Sequence, residues 1–198
     1  MTDEEKNGND NKKEGRKKVK DEIISWVLTI AIALIVAFAI NSFVIVNAKV
    51  PTGSMENTIM PKDRFIANRL AYINDSPERG DIVVFKYPDD ESVLYVKRVI
   101  GLPGDYIEII DGKVYINNSE EPLIEEYIKE EMYGTYGPYT VPEDCYFMLG
   151  DNRNNSLDSR FWENTYVEKE KILGKVIFKY YKGFKLYNYC LLYTSRCV

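Results

Sequence analysis

Tyr106-Ile107-Glu108-Ile109-Ile110-Asp111-Gly112-Lys113-Val114-Tyr115-Ile116 is two short runs of β-branched and aromatic residues joined by Asp-Gly. A two-residue hairpin loop needs positive φ at both central positions; glycine meets no steric cost there, and aspartate tolerates it. The stretch predicts an antiparallel hairpin. Working outward, similar runs rich in Val, Ile, Tyr and Phe fall at 64–67, 81–87, 93–100, 146–149 and 172–181, separated by Gly, Pro and Asn-Asp clusters. Many short strands with turn signals between them predict a mainly β domain, an antiparallel sheet or a barrel-like body. The 16 tyrosines fit strand surface and core better than a ligand cage.

One segment breaks this pattern. Between residues 23 and 46 only Ser25, Thr29, Asn41 and Ser42 are polar, and no charge occurs. At about 1.5 Å per residue, a helix of this length covers a hydrocarbon core of about 30 Å. The expectation is one N-terminal transmembrane helix over 23–46. Lys12, Lys13, Arg16, Lys17, Lys18 and Lys20 precede it, whereas Lys49 alone follows it before Lys62. By the positive-inside bias, the N-terminus is cytoplasmic and the β domain extracytoplasmic. A cleavable signal peptide ending near Val46-Asn47-Ala48 is the rival reading, but its apolar core would usually be only about 7 to 15 residues.

Composition removes whole classes of function. The net charge is −5, so no basic surface advertises nucleic-acid binding. The chain has no histidine, which excludes a Ser-His-Asp triad, a Cys-His dyad and a His-ligated zinc site. Cys145, Cys190 and Cys197 show no Cys-x-x-Cys spacing, which argues against a disulfide scaffold and a metal knuckle. Any acid–base work falls to Lys, Tyr, Asp or Glu.

Three stretches carry chemistry-bearing side chains. In Pro51-Thr52-Gly53-Ser54-Met55 the glycine permits a sharp turn that displays the next hydroxyl. Alone, the pentapeptide is more simply a turn with an unreactive serine. In Tyr95-Val96-Lys97-Arg98-Val99-Ile100, strand alternation puts Lys97 on the face of Tyr95 and Val99, with Arg98 pointing the other way. Burial among apolar neighbours penalises the charged amine and makes a base of it; in isolation, a lysine snorkelling off a strand edge is the commoner case. Gly150-Asp151-Asn152-Arg153-Asn154-Asn155-Ser156-Leu157-Asp158-Ser159-Arg160 packs hydroxyls, amides and opposite charges into one loop after a strand. Asp151, Asn155 and Asp158 supply oxygens for calcium, but the loop lacks the ligand spacing and the final glutamate of an EF-hand.

These stretches, with Gly80-Asp81-Ile82-Val83-Val84-Phe85, closely resemble bacterial type I signal peptidases in order and content, from the apolar segment to about residue 180. The resemblance implies a membrane-bound Ser/Lys endopeptidase that removes hydrophobic N-terminal signal peptides from exported preproteins, without cofactor or metal. It implies Ser54 as nucleophile and Lys97 as general base. The oxyanion hole would comprise the Ser54 N–H and the Thr52 hydroxyl, where many relatives carry serine. Ser156 would orient the Lys97 ammonium, and Asp158 with Arg160 would form a supporting ion pair. Asn154 departs from the acidic residue many relatives carry, which leaves its role open. The implied partners are preprotein signal peptides, membrane lipid and the secretion translocon, with no nucleic acid. The implied location is the bacterial cell membrane, single-pass.

The expected organisation is a disordered cytoplasmic tail at 1–22, the anchor at 23–46, the catalytic domain at 47–187 and a non-native tail at 188–198. In that tail Cys190-Leu191-Leu192-Tyr193-Thr194-Ser195 resembles the translation of a sequencing-library adapter, which would leave Cys145 as the one genuine thiol, a small core residue. Residues 120–131, with six glutamates and one lysine, read as a solvated insertion. Met55, Ile59, Met60 and Phe65 either dip into the membrane interface or pack under the sheet. Eight residues from Val46 hold Ser54 within about 29 Å of the membrane face. Rival functions are a self-cleaving repressor-type protease, a membrane-tethered β adhesin whose motifs are structural turns, and a specialised signal peptidase for pilins or a few substrates.

Overall fold

The computed structural model describes residues 3–180 and 185–187, with side chains from residue 20 onward. It divides after Phe43 into two compact units. The first holds the helix α1 (Asp3–Ala39) and all but the last residue of the π-helical turn at Ile40–Val44 that continues it. Within residues 20–44 an 18-residue window has a mean hydropathy of 2.8 and none of it is buried, so the segment is long and apolar enough to cross a membrane. Residues 3–22, expected to be a disordered tail, are helical. Once the apolar segment has borne the cost of nucleation, each further residue adds a hydrogen bond.

The apolar run also ends differently from the expected span. Ile45 and Val46 belong to strand β1 (Ile45–Lys49), and Val46 is buried in the β unit's core. Their apolar character serves protein packing, and it merges in sequence with the helix because both environments exclude water. For the same reason the stretch at Val46-Asn47-Ala48 is a paired strand, each residue matched to one of 66–67 or Phe65 across the ladder.

The remaining strands are β2 (Arg64–Asn68), β3 (Ile82–Tyr87), β4 (Asp90–Gly101), β5 (Tyr106–Ile110), β6 (Lys113–Ile116), β7 (Tyr136–Thr140), β8 (Cys145–Leu149), β9 (Val167–Glu168), β10 (Ile172–Lys179) and β11 (Lys185–Leu186). The large sheet has the order β1-β2-β10-β3-β4-β8-β9, with β11 paired to β10; the small one has the order β6-β5-β7. Every pairing is antiparallel. The mainly β, antiparallel expectation holds. The β5–β6 hairpin turns at Asp111 (φ 47°) and Gly112 (φ 78°), the conformation its sequence demands.

Strand β3 is apolar at every position from Ile82 to Phe85 because both faces of the large sheet are covered. Ile82 and Val84 join Met55, Ile59 and Phe65 in one cluster; Val83 and Phe85 join Val99, Tyr146, Met148 and Trp162 in another. Ile100, Phe147 and Leu149 instead join Ile107, Ile109 and Val114, which ties the two sheets together. Of the four apolar residues near the serine, Met55, Ile59 and Phe65 are thus core; Met60 alone is exposed. β1, β7, β9 and β11 were not legible: β1 hides in the apolar run, β7 carries Gly137-Pro138, and the other two are two residues long. The segment 188–198 lies outside the described residues.

Candidate active site

Ser54 sits in a tight turn after β1. Glu56 N–H donates to Gly53 O at 3.0 Å and Ile59 N–H to Met55 O at 2.7 Å, so the chain folds back at once and buries Met55 beneath the serine. Lys97 enters from the middle of β4, which is hydrogen-bonded on both sides by β3 and β8. A residue there has little freedom to leave the sheet, and Lys97 is only 4% exposed. Its Nζ lies 2.5 Å from Ser54 Oγ and 5.4 Å from the Tyr95 ring centre.

Burial dominates the titration of this amine. Desolvation pulls Lys97 down from the ordinary 10.5 to about 8, against the opposing attraction of Asp158 and Asp151, with Arg160 repelling. Among the described residues, Lys97 makes no ion pair, whereas the other buried cations are matched. Arg98 bonds Asp151 through Nε at 2.9 Å and Nη2 at 2.7 Å. Arg160 pairs with Asp158 at 2.8 Å, both side chains being at most 1% exposed. Arg153 pairs with Glu125 at 2.5 Å.

Thr52 is exposed and lines the same cavity as Ser54 and Lys97, a hollow of about 480 Å³ walled by Phe65, Val84, Tyr95 and Leu157. Asp158 and Arg160 meet as expected; Asp158 Oδ2 also accepts from Gly150 N–H at 3.1 Å, and Arg160 donates to Arg153 O at 2.6 Å. Ser156 makes no hydrogen bond to the Lys97 ammonium. Among the described residues its buried hydroxyl has no hydrogen-bond partner, and a side chain on residue 150 would overlap both it and the Ser54 carbonyl. Asn154 has a definite place: Oδ1 accepts from Tyr133 N–H at 3.0 Å and Nδ2 donates to Glu131 O at 2.9 Å.

Several contributors were not foreseen. Asn152 N–H donates to Ser54 O and its Nδ2 to Gly53 O, both at 3.0 Å, so one residue holds two successive carbonyls of the serine turn. Thr58 Oγ1 donates to Asp151 Oδ2 at 2.5 Å. Arg98, expected on the other face of the strand from Lys97, is itself buried and paired with Asp151. Residues 120–131 are not simply solvated, since Glu125 reaches the buried Arg153 and Tyr127 lies over Arg98. Opposite charge on 120–131 and 150–160 was the available signal, but it could not say which glutamate turns inward.

A serine hydroxyl held by a desolvated amine in a largely apolar cleft is equipped for acyl transfer. The family model described as "Signal peptidase, peptidase S26" matches residues 23–181. The chain belongs to the signal peptidase family, peptidase S26. It is a signal-peptide-cleaving serine endopeptidase, and family membership implies preprotein signal peptides as substrates. A probable signal peptidase I-2 of Synechocystis sp. is 40% identical over 77% of this chain and 71% of its own length. A signal peptidase I of Leptolyngbya laminosa is 36% identical over 83% of this chain and 82% of its own. The crystal structure of a signal peptidase I from Enterococcus faecalis V583 gives a TM-score of 0.44 at 34% identity, covering 51% of this chain and 97% of that one. The adhesin and repressor-type readings are not favoured. The apolar N-terminal helix fits a membrane-anchored signal peptidase.

Proposed function

We propose that Ser54 Oγ attacks the scissile carbonyl while Lys97 Nζ, unprotonated, takes its proton. The 2.5 Å separation of these atoms, with Lys97 near pKa 8, carries this reading. As the tetrahedral intermediate collapses, the Lys97 ammonium returns the proton to the departing amine, leaving the signal peptide acylated on Ser54. The amine then takes a proton from the water that attacks the ester, and as the second tetrahedral intermediate collapses the Lys97 ammonium returns it to Ser54 Oγ, which restores the serine and the neutral amine. The Ser54 N–H and the Thr52 hydroxyl receive the developing oxyanion. The apolar walls of the cavity admit small side chains just upstream of the cut.

In the same reading, the segment up to residue 22 is cytoplasmic, the apolar helix is the single span, and residues 45–187 form the extracytoplasmic catalytic unit. Basic residues before the span and their scarcity after it support that orientation. Membrane lipid and the secretion translocon are then its neighbours. Protease accessibility of tagged termini in sealed vesicles tests the orientation. The chemistry is tested by incubating detergent-solubilised protein with a preprotein. Ser54→Ala and Lys97→Ala should abolish cleavage while the far-UV signal is kept; near-normal turnover by Lys97→Ala at neutral pH overturns the dyad. Growth complementation of a strain depleted of its housekeeping signal peptidase separates a general enzyme from one restricted to pilins or a few substrates.

A further inference from the structure

The acidic insertion makes more contacts with the site than a solvated loop requires. Tyr127 O accepts from Asn57 Nδ2 at 3.0 Å, three residues beyond the serine. Lys129 N–H donates to Asp151 O at 3.1 Å, and Lys129 Nζ reaches Glu56 Oε2 at 2.6 Å. Glu125 takes both ends of the Arg153 fork, at 2.8 and 2.5 Å, and its Oε1 also accepts from the Tyr127 hydroxyl at 2.7 Å. Arg153 Nε in turn donates to Gly150 O at 3.1 Å.

Two cations hold the polar loop 150–160 in place beside Ser54, and the insertion touches both. Arg153 is gripped by Glu125, and the Arg98 guanidinium carbon lies 3.8 Å from the centre of the Tyr127 ring. Arg98 is the immediate neighbour of Lys97 on β4 and binds Asp151, whose successor Asn152 clasps the carbonyls of Gly53 and Ser54. A guanidinium stacked on one side and bonded to a carboxylate at its edge has one place to sit.

We propose that Tyr127 and Glu125 are positioning residues for the Ser54–Lys97 pair, acting through Arg98 and Arg153. The inference rests on the dyad reading above. Displacement of a positioned nucleophile by a fraction of an ångström lowers the chemical step rather than ground-state binding. Loosening Arg98 also has an electrostatic consequence. Asp151, less well neutralised, favours the charged amine more strongly, and water entering beside β4 relieves the burial that depresses it; both raise Lys97 from about 8.

The test uses the full chain in detergent with a preprotein substrate, with active sites counted by an acylating titrant, so that misfolded protein does not enter kcat. Tyr127→Leu should lower kcat at pH 7 by about tenfold or more with KM within about twofold, and its loss should shrink as pH rises toward 10. Tyr127→Phe, which keeps the ring, should stay within about threefold of the parent. Glu125→Gln should lower kcat in the same way as Tyr127→Leu. The proposal is overturned if Tyr127→Leu keeps its kcat per titrated site, or if its loss is equal at all pH values. Should Tyr127→Leu yield no titratable protein, the kcat and pH profile of Glu125→Gln decide by the same criteria. Ser54→Ala, run alongside, tests the dyad separately: cleavage by that variant removes the underlying reading whatever Tyr127 does.

Discussion

Lys97 and Arg160 are both buried cations, yet the protein treats them in opposite ways. Arg160 is enclosed with a carboxylate, an accepting carbonyl and two aromatic rings, so its charge is compensated on every side. Lys97 is enclosed with a hydroxyl and an aromatic ring and makes no ion pair among the described residues. Burial with a partner preserves a charge; burial without one expels a proton. Under the proposed mechanism, one arrangement gives a support and the other a base.

The largest effects should follow from removing the two reacting groups. Ser54→Ala is expected to reduce preprotein cleavage to background. Lys97→Met should lower kcat by about 100- to 10,000-fold at neutral pH, read from a gel-based cleavage time course. If either retains near-normal turnover, the contrast between catalytic and structural burial fails.

Stability should then move in opposite directions for the same kind of substitution. Arg160→Met strands Asp158 in the interior and should cost about 3–5 kcal/mol in denaturant unfolding. Lys97→Met removes an amine whose charged form burial disfavours. In the unfolded chain Lys97 holds its proton up to about 10.5, whereas the folded protein releases it near 8. Folding therefore works against that amine at neutral pH, and the penalty fades as pH rises from about 8 to 10.5. Lys97→Met should stabilise the β unit at pH 7 by about 1–3 kcal/mol, and the gain should vanish near pH 10.5. A loss of stability at pH 7 would mean that Lys97 is compensated like the others.

The pH profile of the parent enzyme sharpens the same contrast. With Lys97 as the proposed base, kcat/KM should rise about tenfold per pH unit on the acid side and level off above about 8. A profile already flat at pH 6 would point to a different base. The smallest effect belongs to an exposed pair: Lys171→Ala, which removes an ammonium bonded to Glu91 at the surface, should leave both unfolding and cleavage unchanged.

Legibility differed between regions for physical reasons. The hairpin at 106–116 could be read because Asp111-Gly112 encodes its own backbone conformation, and β3 because a strand covered on both faces is apolar at every step. Strand β1 could not, because its apolar residues follow without a break on those of the helix. The charged run at 120–131 looked like solvent-facing loop because charge alone does not reveal whether an opposite charge waits inside. Its Glu125 and Tyr127 are close to Arg153 and Arg98 only through long-range folding. Ser156 shows the converse: a hydroxyl whose burial the local sequence did not reveal and which makes no hydrogen bond among the described residues.

By itself the sequence determined the β architecture and the apolar helix, and it excluded any catalytic chemistry that needs histidine. Those depend on local periodicity, on turn residues and on the total absence of histidine. Tertiary structure alone decided that Lys97 is buried without an ion pair among the described residues, which lowers its pKa to about 8, while Arg98, Arg153 and Arg160 each meet a carboxylate. That outcome depends on which carboxylates approach each cation from distant parts of the chain, and electrostatic energy is set by distance and solvent exclusion, not by order along the backbone.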